Sequence, residues 1–387
     1  MNEHEMDAPQ EALTPLEEIE LEKEEPVKPR RLPLVFFIFY GFFALSLVLF
    51  LVALFQTPFA DGLNRTYSAA VRGTLAHLTS WIPFSLGEYL LLLSPLILGI
   101  LIALGVKKYA SSWRTVGRYC VCLFSVLALI GGIFLSAFAP AYHTTTLDVR
   151  LGLDKQEVSV DELYLTADYL ILFAEQESAQ VSYGTDGFST MPYSHKEMND
   201  KLLASYASLS EEYDFLPKLK SRVKPVMLSK AMSYTHTTGI YSFFTGEANL
   251  NVDFPDYTLP FTAAHELAHQ RGIAREDEAN FLAFLVCIRS DDAYIRYCGY
   301  RNMLDYVLPA LYEASPNDYA AVMSYAPRHI RREMLAYTLF FEEYRDSVAS
   351  NVSESVNNAY LTMQGTEGTK SYGMVVDLAV AYYRTPD

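Results

Sequence analysis

Basic side chains and cysteines are both scarce in this sequence. Its 387 residues include 30 Lys and Arg against 46 Asp and Glu, which gives a formal net charge of −16. Nucleic acid is therefore excluded as a partner, because phosphate binding requires a basic field. The four cysteines are too few to form a disulfide scaffold in a chain of this length.

Glycine-rich nucleotide motifs and internal repeats are absent as well. The sequence contains no P-loop and no glycine fingerprint of a dinucleotide-binding fold, so it indicates no nucleotide cofactor. Apolar residues, in contrast, are plentiful: 51% of the residues are hydrophobic and 14% are aromatic, which excludes disorder throughout the chain. The length suits two or three structural units, and the apolar residues are divided unevenly among them.

The N-terminal residues 1–31 carry ten acidic and four basic side chains and show no apolar periodicity. This composition predicts a disordered tail. The tail is too long and too acidic to begin a signal peptide, so we expect the apolar segment after it to be retained.

Three segments have the length and composition of membrane-spanning helices. Residues 32–55 and 119–142 are each 24 residues without a charge, and residues 89–106 are 18. A bilayer core about 30 Å thick needs roughly 20 apolar residues at the rise of an α-helix. We therefore predict a three-span membrane region over residues 32–142.

Basic residues near these segments predict an orientation. Because such residues are retained in the cytoplasm, we expect the N-terminal tail and the second loop to be cytoplasmic. The domain of residues 143–387 would then lie outside the cytoplasm, against the lipid of a cell membrane. Seven basic residues lie on the cytoplasmic side in this arrangement: Lys28, Arg30, Arg31, Lys107, Lys108, Arg114 and Arg118.

Residues 143–387 are typical of one soluble, mostly helical domain. Residues 237–252 differ, because they are rich in β-branched and aromatic side chains with Gly239 and Gly246 as turn positions, and they predict one or two short strands. The remaining pattern predicts helices over residues 160–180, 194–213, 262–271, 276–288, 302–314 and 328–349.

The strongest chemical signal is His265-Glu266-Leu-Ala-His269, placed where a helix is expected. Residues four apart lie on one face of a helix, so both imidazoles can reach one metal ion. Glu266 projects from the adjacent position toward the open side of that ion, where it can act as general base on a water activated by zinc. The motif therefore predicts a Zn2+ site.

Two histidines leave a zinc site incomplete, and the acidic segment that follows offers the third ligand. Glu276 and Glu278 are the two candidates. Glu276 is preferred because Asn280 follows one turn later on the same face, where it could hydrogen-bond a ligating histidine. An acidic first turn also suits the dipole of any helix, so these carboxylates have a structural interpretation as well.

Together, His265-Glu-Leu-Ala-His269 and Glu276-Asp-Glu-Ala-Asn280 resemble the gluzincin branch of the zincin metallopeptidases. The resemblance implies a zincin-like α+β domain with a small sheet, in which His265, His269 and Glu276 hold zinc. The chain departs from the gluzincin pattern in the short gap before Glu276 and in Asn280, where that pattern has Asp.

The chain is more similar still to an uncharacterised bacterial family of membrane-anchored, zincin-like proteins. The elements that carry this closer resemblance are the stretch 239–251, the site, and the late segments around Tyr360 and residues 371–378, and the resemblance covers about residues 30–385. It implies a membrane-anchored, mainly α protein with three N-terminal transmembrane helices followed by the zincin-like domain.

The function implied by the resemblance is hydrolysis of peptide bonds, with peptides or proteins of the cell envelope among the candidate substrates. The alternative is a catalytically silent, zincin-like membrane sensor or scaffold. In zincins a strand along the cleft pairs with the substrate, and residues 239–252 are the counterpart here. The residue that steadies the oxyanion is open among His329, Tyr241 and Tyr372.

Cys287 and Cys298 would lie outside the membrane in this arrangement. A disulfide between them is permitted there but not required.

Overall fold

The computed structural model of the chain describes residues 33–109, 112–345, 347–364 and 374–384. The predicted disordered tail and Tyr372 lie outside these ranges. The described residues form sixteen α-helices and a sheet of three short strands, so the protein is mainly helical. In chain order the helices are α1 (Leu34–Phe55), α2 (Thr57–Leu63), α3 (Ala69–Ser80), α4 (Leu86–Leu104), α5 (Trp113–Ala137), α6 (Leu147–Leu151), α7 (Val160–Ser178), α8 (His195–Glu212), α9 (Ser229–Ser233), α10 (Leu259–Gln270), α11 (Glu276–Ile288), α12 (Ala293–Ala314), α13 (Pro316–Tyr325), α14 (Arg328–Glu342), α15 (Val348–Met363) and α16 (Val375–Arg384).

Helices α1, α4 and α5 are long and apolar enough to cross a membrane, as the sequence predicts. The bounds differ most in the third, where α5 begins at Trp113 and ends at Ala137 instead of spanning 119–142. Ser112 starts this helix by accepting a hydrogen bond from the backbone N–H of Thr115. A 3₁₀ turn, Ala139–His143, then leads the chain into the C-terminal part.

The helices predicted after residue 143 are present, although several of their ends are shifted. The bounds of α11 are those predicted. Helix α12 begins at Ala293 because Asp292 caps it, accepting a hydrogen bond from the backbone N–H of Ile295. The single helix predicted over residues 328–349 is two helices, since Ser347 caps a new helix, α15.

The sheet consists of β1 (Val223–Pro225), β2 (Gly239–Ser242) and β3 (Glu247–Leu250), in the order β1-β3-β2. Strands β2 and β3 form an antiparallel hairpin, and β1 lies parallel to β3. Strand β1 is too short for a sequence pattern to reveal it. Gly246 turns the hairpin with a φ of +70°, where an added β-carbon would lie 2.6 Å from Leu75.

Around the sheet, α7 packs on α12 and α10 packs on α11 to form one continuous apolar core. Cys287 and Cys298 lie within this core on α11 and α12. Both are buried and free, so the permitted disulfide is not formed.

The loop between α1 and α4 also packs against the C-terminal part of the chain. The buried side chain of Arg72, in α3, donates hydrogen bonds to the backbone carbonyls of Ala137 (2.5 Å) and Asn64 (3.2 Å). The Asn64 side chain donates in turn to the carbonyl of Gly272 (3.0 Å). This loop and the C-terminal domain therefore lie on the same side of the three apolar helices.

Candidate metal centre

Two histidines of α10 and one glutamate of α11 meet at a single point. The rings of His265 and His269 lie on one face of α10 with centroids 4.5 Å apart. Nε2 of His265 is 3.2 Å from Oε2 of Glu276, and Nε2 of His269 is 3.7 Å from Oε1 of the same carboxylate. One candidate ligand atom from each residue lies within 4.8 Å of the others. A single metal ion could contact all three at this spacing.

The two candidate glutamates have different environments. Glu276 faces the histidines, whereas Glu278 turns toward the start of α6. Oε1 of Glu278 accepts hydrogen bonds from the backbone N–H of Leu147 (2.8 Å) and from Arg275 (2.8 Å). Glu278 therefore has the structural role, joining α6 to α11, and Glu276 is the residue that the structure brings to the histidines.

The turn after α10 fixes the orientation of His269. Its Nδ1 lies 2.8 Å from the carbonyl oxygen of Ile273 and donates a hydrogen bond to it, which leaves Nε2 facing the centre as the atom that could bind a metal. Gly272 allows the turn with a φ of +90°. The sequence predicts a role of this kind for Asn280, but a backbone carbonyl fills it at His269. Within the described part of the chain, the buried Nδ2 of Asn280 has no hydrogen-bond partner, and neither has Nδ1 of His265.

Glu266 lies beside this cluster and contacts the start of β2. Its carboxylate rests against the α-carbon of Gly239, where an added β-carbon would lie 2.6 Å from Oε1. The side chain is buried, and Oε2 has no hydrogen-bond partner in the described structure. Burial raises the pKa of Glu266 to about 7, although the nearby histidines act in the opposite direction. A carboxyl group with this pKa can accept and release a proton near neutral pH.

The charges of the clustered side chains depend on one another. Burial by itself lowers the pKa of His269, but the carboxylates of Glu276 and Glu266 raise it to about 9. Burial likewise favours a neutral Glu276, yet the two histidines hold the pKa of this carboxyl well below its usual range. The carboxylates of the buried cluster therefore stabilise a positive charge at its centre.

These residues fit a zinc ion. Two imidazole nitrogens and one carboxylate oxygen form a donor set that zinc accepts, with a fourth position left for water or substrate. His265, His269 and Glu276 would be the ligands. Glu266, whose Oε2 has no hydrogen-bond partner among the described residues, is close enough to all three for their charges to act on its pKa.

Aromatic side chains form a wall beside the centre. Phe138, Tyr142 and Tyr360 belong to one small apolar cluster, and the Phe138 ring centroid is 6.1 Å from that of His269. The Tyr142 hydroxyl donates a hydrogen bond to the Tyr360 hydroxyl (3.2 Å). Burial raises the pKa of Tyr360 to about 12, and the charge of Glu276 adds to this effect. Phe138 and Tyr142 end an apolar run, and no sequence signal marks them as neighbours of the histidines.

Of the three residues that the sequence suggests for the oxyanion role, the structure describes Tyr241 and His329, which lie in different parts of the protein. Tyr241 lies in the aromatic wall, with its ring 5.3 Å from that of Phe138, but its buried hydroxyl has no hydrogen-bond partner among the residues that the structure describes. His329 is elsewhere, packed against Tyr183. Tyr372 is outside the described residues. Tyr360, which the sequence does not suggest for this role, is the described tyrosine whose pKa is affected by Glu276.

Arg275 joins the exit of α5 to the start of α11. Its guanidinium donates hydrogen bonds to the backbone carbonyls of Tyr142 (2.8 Å), Thr144 (3.1 Å) and Thr145 (3.2 Å). Because Glu276 is the next residue, the segment that leaves the third apolar helix also holds the third candidate ligand in position.

The fold and the site together define a class of protein: mainly helical, with three helices long and apolar enough to cross a membrane and a His/His/Glu cluster that could hold a metal ion. Residues 63–380 match the model of a family described as "Protein of unknown function (DUF3810)", and the chain belongs to this family. No curated protein and no solved structure matches the chain significantly. Membership of a family of unknown function agrees with the expectation of an uncharacterised family, whereas the zincin-like character of that family stays a prediction.

Proposed function

We propose that this protein is a membrane-anchored, zinc-dependent peptidase. The proposal is carried by the convergence of His265, His269 and Glu276 beside a buried carboxylate, Glu266. Zinc held by the three ligands would polarise the scissile carbonyl and activate a water for attack.

Glu266 is the general base in this proposal. It takes a proton from the attacking water, whose oxygen bonds to the carbonyl carbon of the scissile peptide. When the carbon–nitrogen bond breaks, Glu266 passes the proton to the leaving amine. The contact with Gly239 orients the carboxylate for both transfers, and burial separates it from bulk water.

Strand β2 offers a place for the substrate backbone. The order β1-β3-β2 leaves its outer side without a further strand in the described part of the chain. The backbone N–H of Asn251 donates to the carbonyl of Thr238 (2.9 Å), so the alternation of an antiparallel pair points the backbone groups of Gly239 and Tyr241 away from β3. An extended peptide could add to this edge and lie alongside Glu266.

The proposed peptidase domain faces away from the cytoplasm. The basic residues that flank the apolar helices favour this orientation, with a cytoplasmic N-terminus and substrates in the cell envelope. Labelling of single introduced cysteines in intact cells by a membrane-impermeant reagent tests it. Labelling of the domain only after the cells are opened would contradict the orientation without affecting the chemistry.

Metal analysis of the full chain, purified in detergent, tests the proposal. We expect about one zinc per chain, its loss when His265→Ala and His269→Ala are combined, and its retention in Glu266→Gln. Zinc retained by the double variant would overturn the assignment of the site.

The Glu266→Gln variant also separates hydrolysis from the alternative of a silent sensor or scaffold. We expect it to keep zinc, lose peptide hydrolysis and fail to restore the phenotype of a deletion strain. If it restores that phenotype while keeping its metal, peptide hydrolysis is not the function.

A further inference from the structure

The candidate zinc site lies at the depth where the third apolar helix leaves the membrane. The uncharged part of α5 runs from Tyr119 to Ala137, which is 19 residues. Its length of about 28 Å matches a hydrocarbon core about 30 Å thick, so the boundary on the side of the C-terminal domain falls near Phe138. The ring of Phe138 is 6.1 Å from that of His269. The site is therefore about one side chain away from the hydrocarbon.

Exposed side chains at both ends of the apolar helices suit contact with the membrane–water interface. The two tryptophans of the chain stand at opposite ends of the apolar helices, Trp81 just before α4 and Trp113 at the start of α5, with exposures of 77% and 90%. Tryptophan is enriched at membrane–water interfaces. The exposed Met227 and Leu228 lie at the same end of α4 as Trp81, because their backbone N–H groups donate to Glu88 (2.9 and 2.8 Å).

Strand β2 runs from the zinc site toward this boundary. Gly239, at its start, contacts Glu266, whereas the ring of Phe243, just after its end, is 5.1 Å from that of Phe134. Phe134 lies within α5, one turn before the boundary. At about 3.3 Å per residue, the four steps from Gly239 to Phe243 cover about 13 Å. A peptide extended along the free edge of β2 would therefore reach the membrane within about four residues of the proposed catalytic carboxylate.

We infer that the substrates of this site are membrane-anchored polypeptides, cut within about ten residues of the point where they leave the bilayer. The inference rests on the proposed peptidase function. A segment that emerges from the bilayer is presented at the depth of the site and along the direction of β2. Anchoring both partners in one membrane also raises their effective concentration toward the millimolar range.

The first test compares anchored and free peptides. The full chain, loaded with zinc in phospholipid vesicles, is given a randomised segment of about ten residues joined through Gly/Ser spacers of varied length to an apolar helix of about 20 residues. The control is the same segment and spacer without the helix. We expect the anchored form to be cut at least about tenfold faster, with cut sites, located by mass spectrometry, that stay close to the anchor as the spacer grows.

The outcomes separate the inference from the proposed function. Equal rates for anchored and free peptides, or cut sites that move away from the anchor with the spacer, would overturn the inference and leave the peptidase function standing. Cleavage of neither form would overturn both.

The second test measures depth and does not depend on activity. A fluorophore is attached to Ile240→Cys on β2, or to Tyr312→Cys on α12, in a background with Cys120→Ala and Cys122→Ala. Both positions are exposed, at 53% and 58%. We expect lipids that carry a quencher at the headgroup to quench the label at position 240 strongly and the label at position 312 weakly. Equal, weak quenching at both positions would place the site away from the membrane and overturn the inference.

Discussion

The carboxylate of Glu266 lies directly against the α-carbon of Gly239, so a β-carbon at position 239 would be 2.6 Å from Oε1 and 2.7 Å from Cγ. No room exists there for even one methyl group unless the glutamate moves. A glycine at the start of the edge strand is thus a condition for the position of the proposed general base.

Gly239→Ala should therefore impair hydrolysis without removing the metal. Displacement of a catalytic group by about 1 Å can cost about 100-fold in rate, and we expect a loss of about that size in kcat with an unchanged zinc content. The matched control is Gly62→Ala, since an added β-carbon at that helical position would have no other described atom within 4 Å beyond its chain neighbours and the backbone of its own helix. A Gly239→Ala enzyme of normal activity would show that Glu266 does not need its observed position.

Replacing each of the two neighbouring glutamates should have opposite consequences. Glu276→Gln removes the charge of the proposed third ligand, and we expect zinc affinity to fall by more than the about 10- to 100-fold that loss of an outer-shell partner costs. Glu278→Gln should keep zinc but lower the free energy of unfolding by about 1–3 kcal/mol, because Leu147 and Arg275 lose a charged acceptor. Metal titration and thermal unfolding of both variants check the pair. A reversal of the two phenotypes would make Glu278 the ligand.

The sequence could predict the two helices that carry the candidate ligands because the pattern that indicates them is local. His265 and His269 share a face through helical spacing, and Glu276 lies at the start of a helix with clear apolar periodicity. The same reasoning favoured Glu276 over Glu278 through the position of Asn280. The structure brings Glu276 to the histidines, but Asn280 makes no hydrogen bond through Nδ2 to any described residue that would explain the preference.

The surroundings of the site could not be predicted, because they depend on contacts between distant parts of the chain. Phe138 lies near His269 because the end of α5 packs on the C-terminal domain. The partner of His269 is a backbone carbonyl, at Ile273, which has no residue-type signature. Nothing in the sequence distinguishes Arg275 from a surface arginine, because its three acceptors are backbone carbonyls from a distant segment.

A buried ion pair between Lys224 and Glu247 connects the sheet to the membrane helix α4. Glu247 also accepts hydrogen bonds from the backbone N–H groups of Leu86 (3.1 Å) and Gly87 (2.8 Å) at the start of that helix. Lys224→Met would leave a buried carboxylate without its cation, which costs about 3–5 kcal/mol in comparable cases. We expect thermal unfolding in detergent to show a loss of this order.

Two further variants serve as controls for the Lys224→Met result. Lys224→Met combined with Glu247→Gln should regain part of the loss, because no unpaired charge remains. Lys196→Met removes a cation from an exposed pair with Asp200 and should leave the unfolding midpoint nearly unchanged. Equal effects of Lys224→Met and Lys196→Met would mean that the buried pair is not needed to hold the sheet on α4.

Asp61 fastens the loop between α1 and α4 to the start of the C-terminal domain and should make stability depend on acid. Its carboxylate accepts hydrogen bonds from the backbone N–H of Thr145 (3.0 Å) and from Arg150 (2.8 Å). Burial acts to raise the pKa of Asp61, but these partners hold it below the ordinary value of 3.8. A depressed folded-state pKa gives stability that is present above the unfolded pKa and is lost as the pH falls through the folded one.

Asp61→Asn should therefore lower the free energy of unfolding at pH 7 by about 1–2 kcal/mol, a modest value because the carboxylate is partly exposed. The difference from the native chain should shrink as the pH falls below 3.8. Unfolding midpoints measured from neutral to acidic pH check this, with Asp214→Asn as the control. Asp214 also pairs with the loop, through Arg65, but its side chain is 82% exposed, so its removal should change little. A constant difference between Asp61→Asn and the native chain across that range would show that the charge of Asp61 does not contribute to docking of the loop.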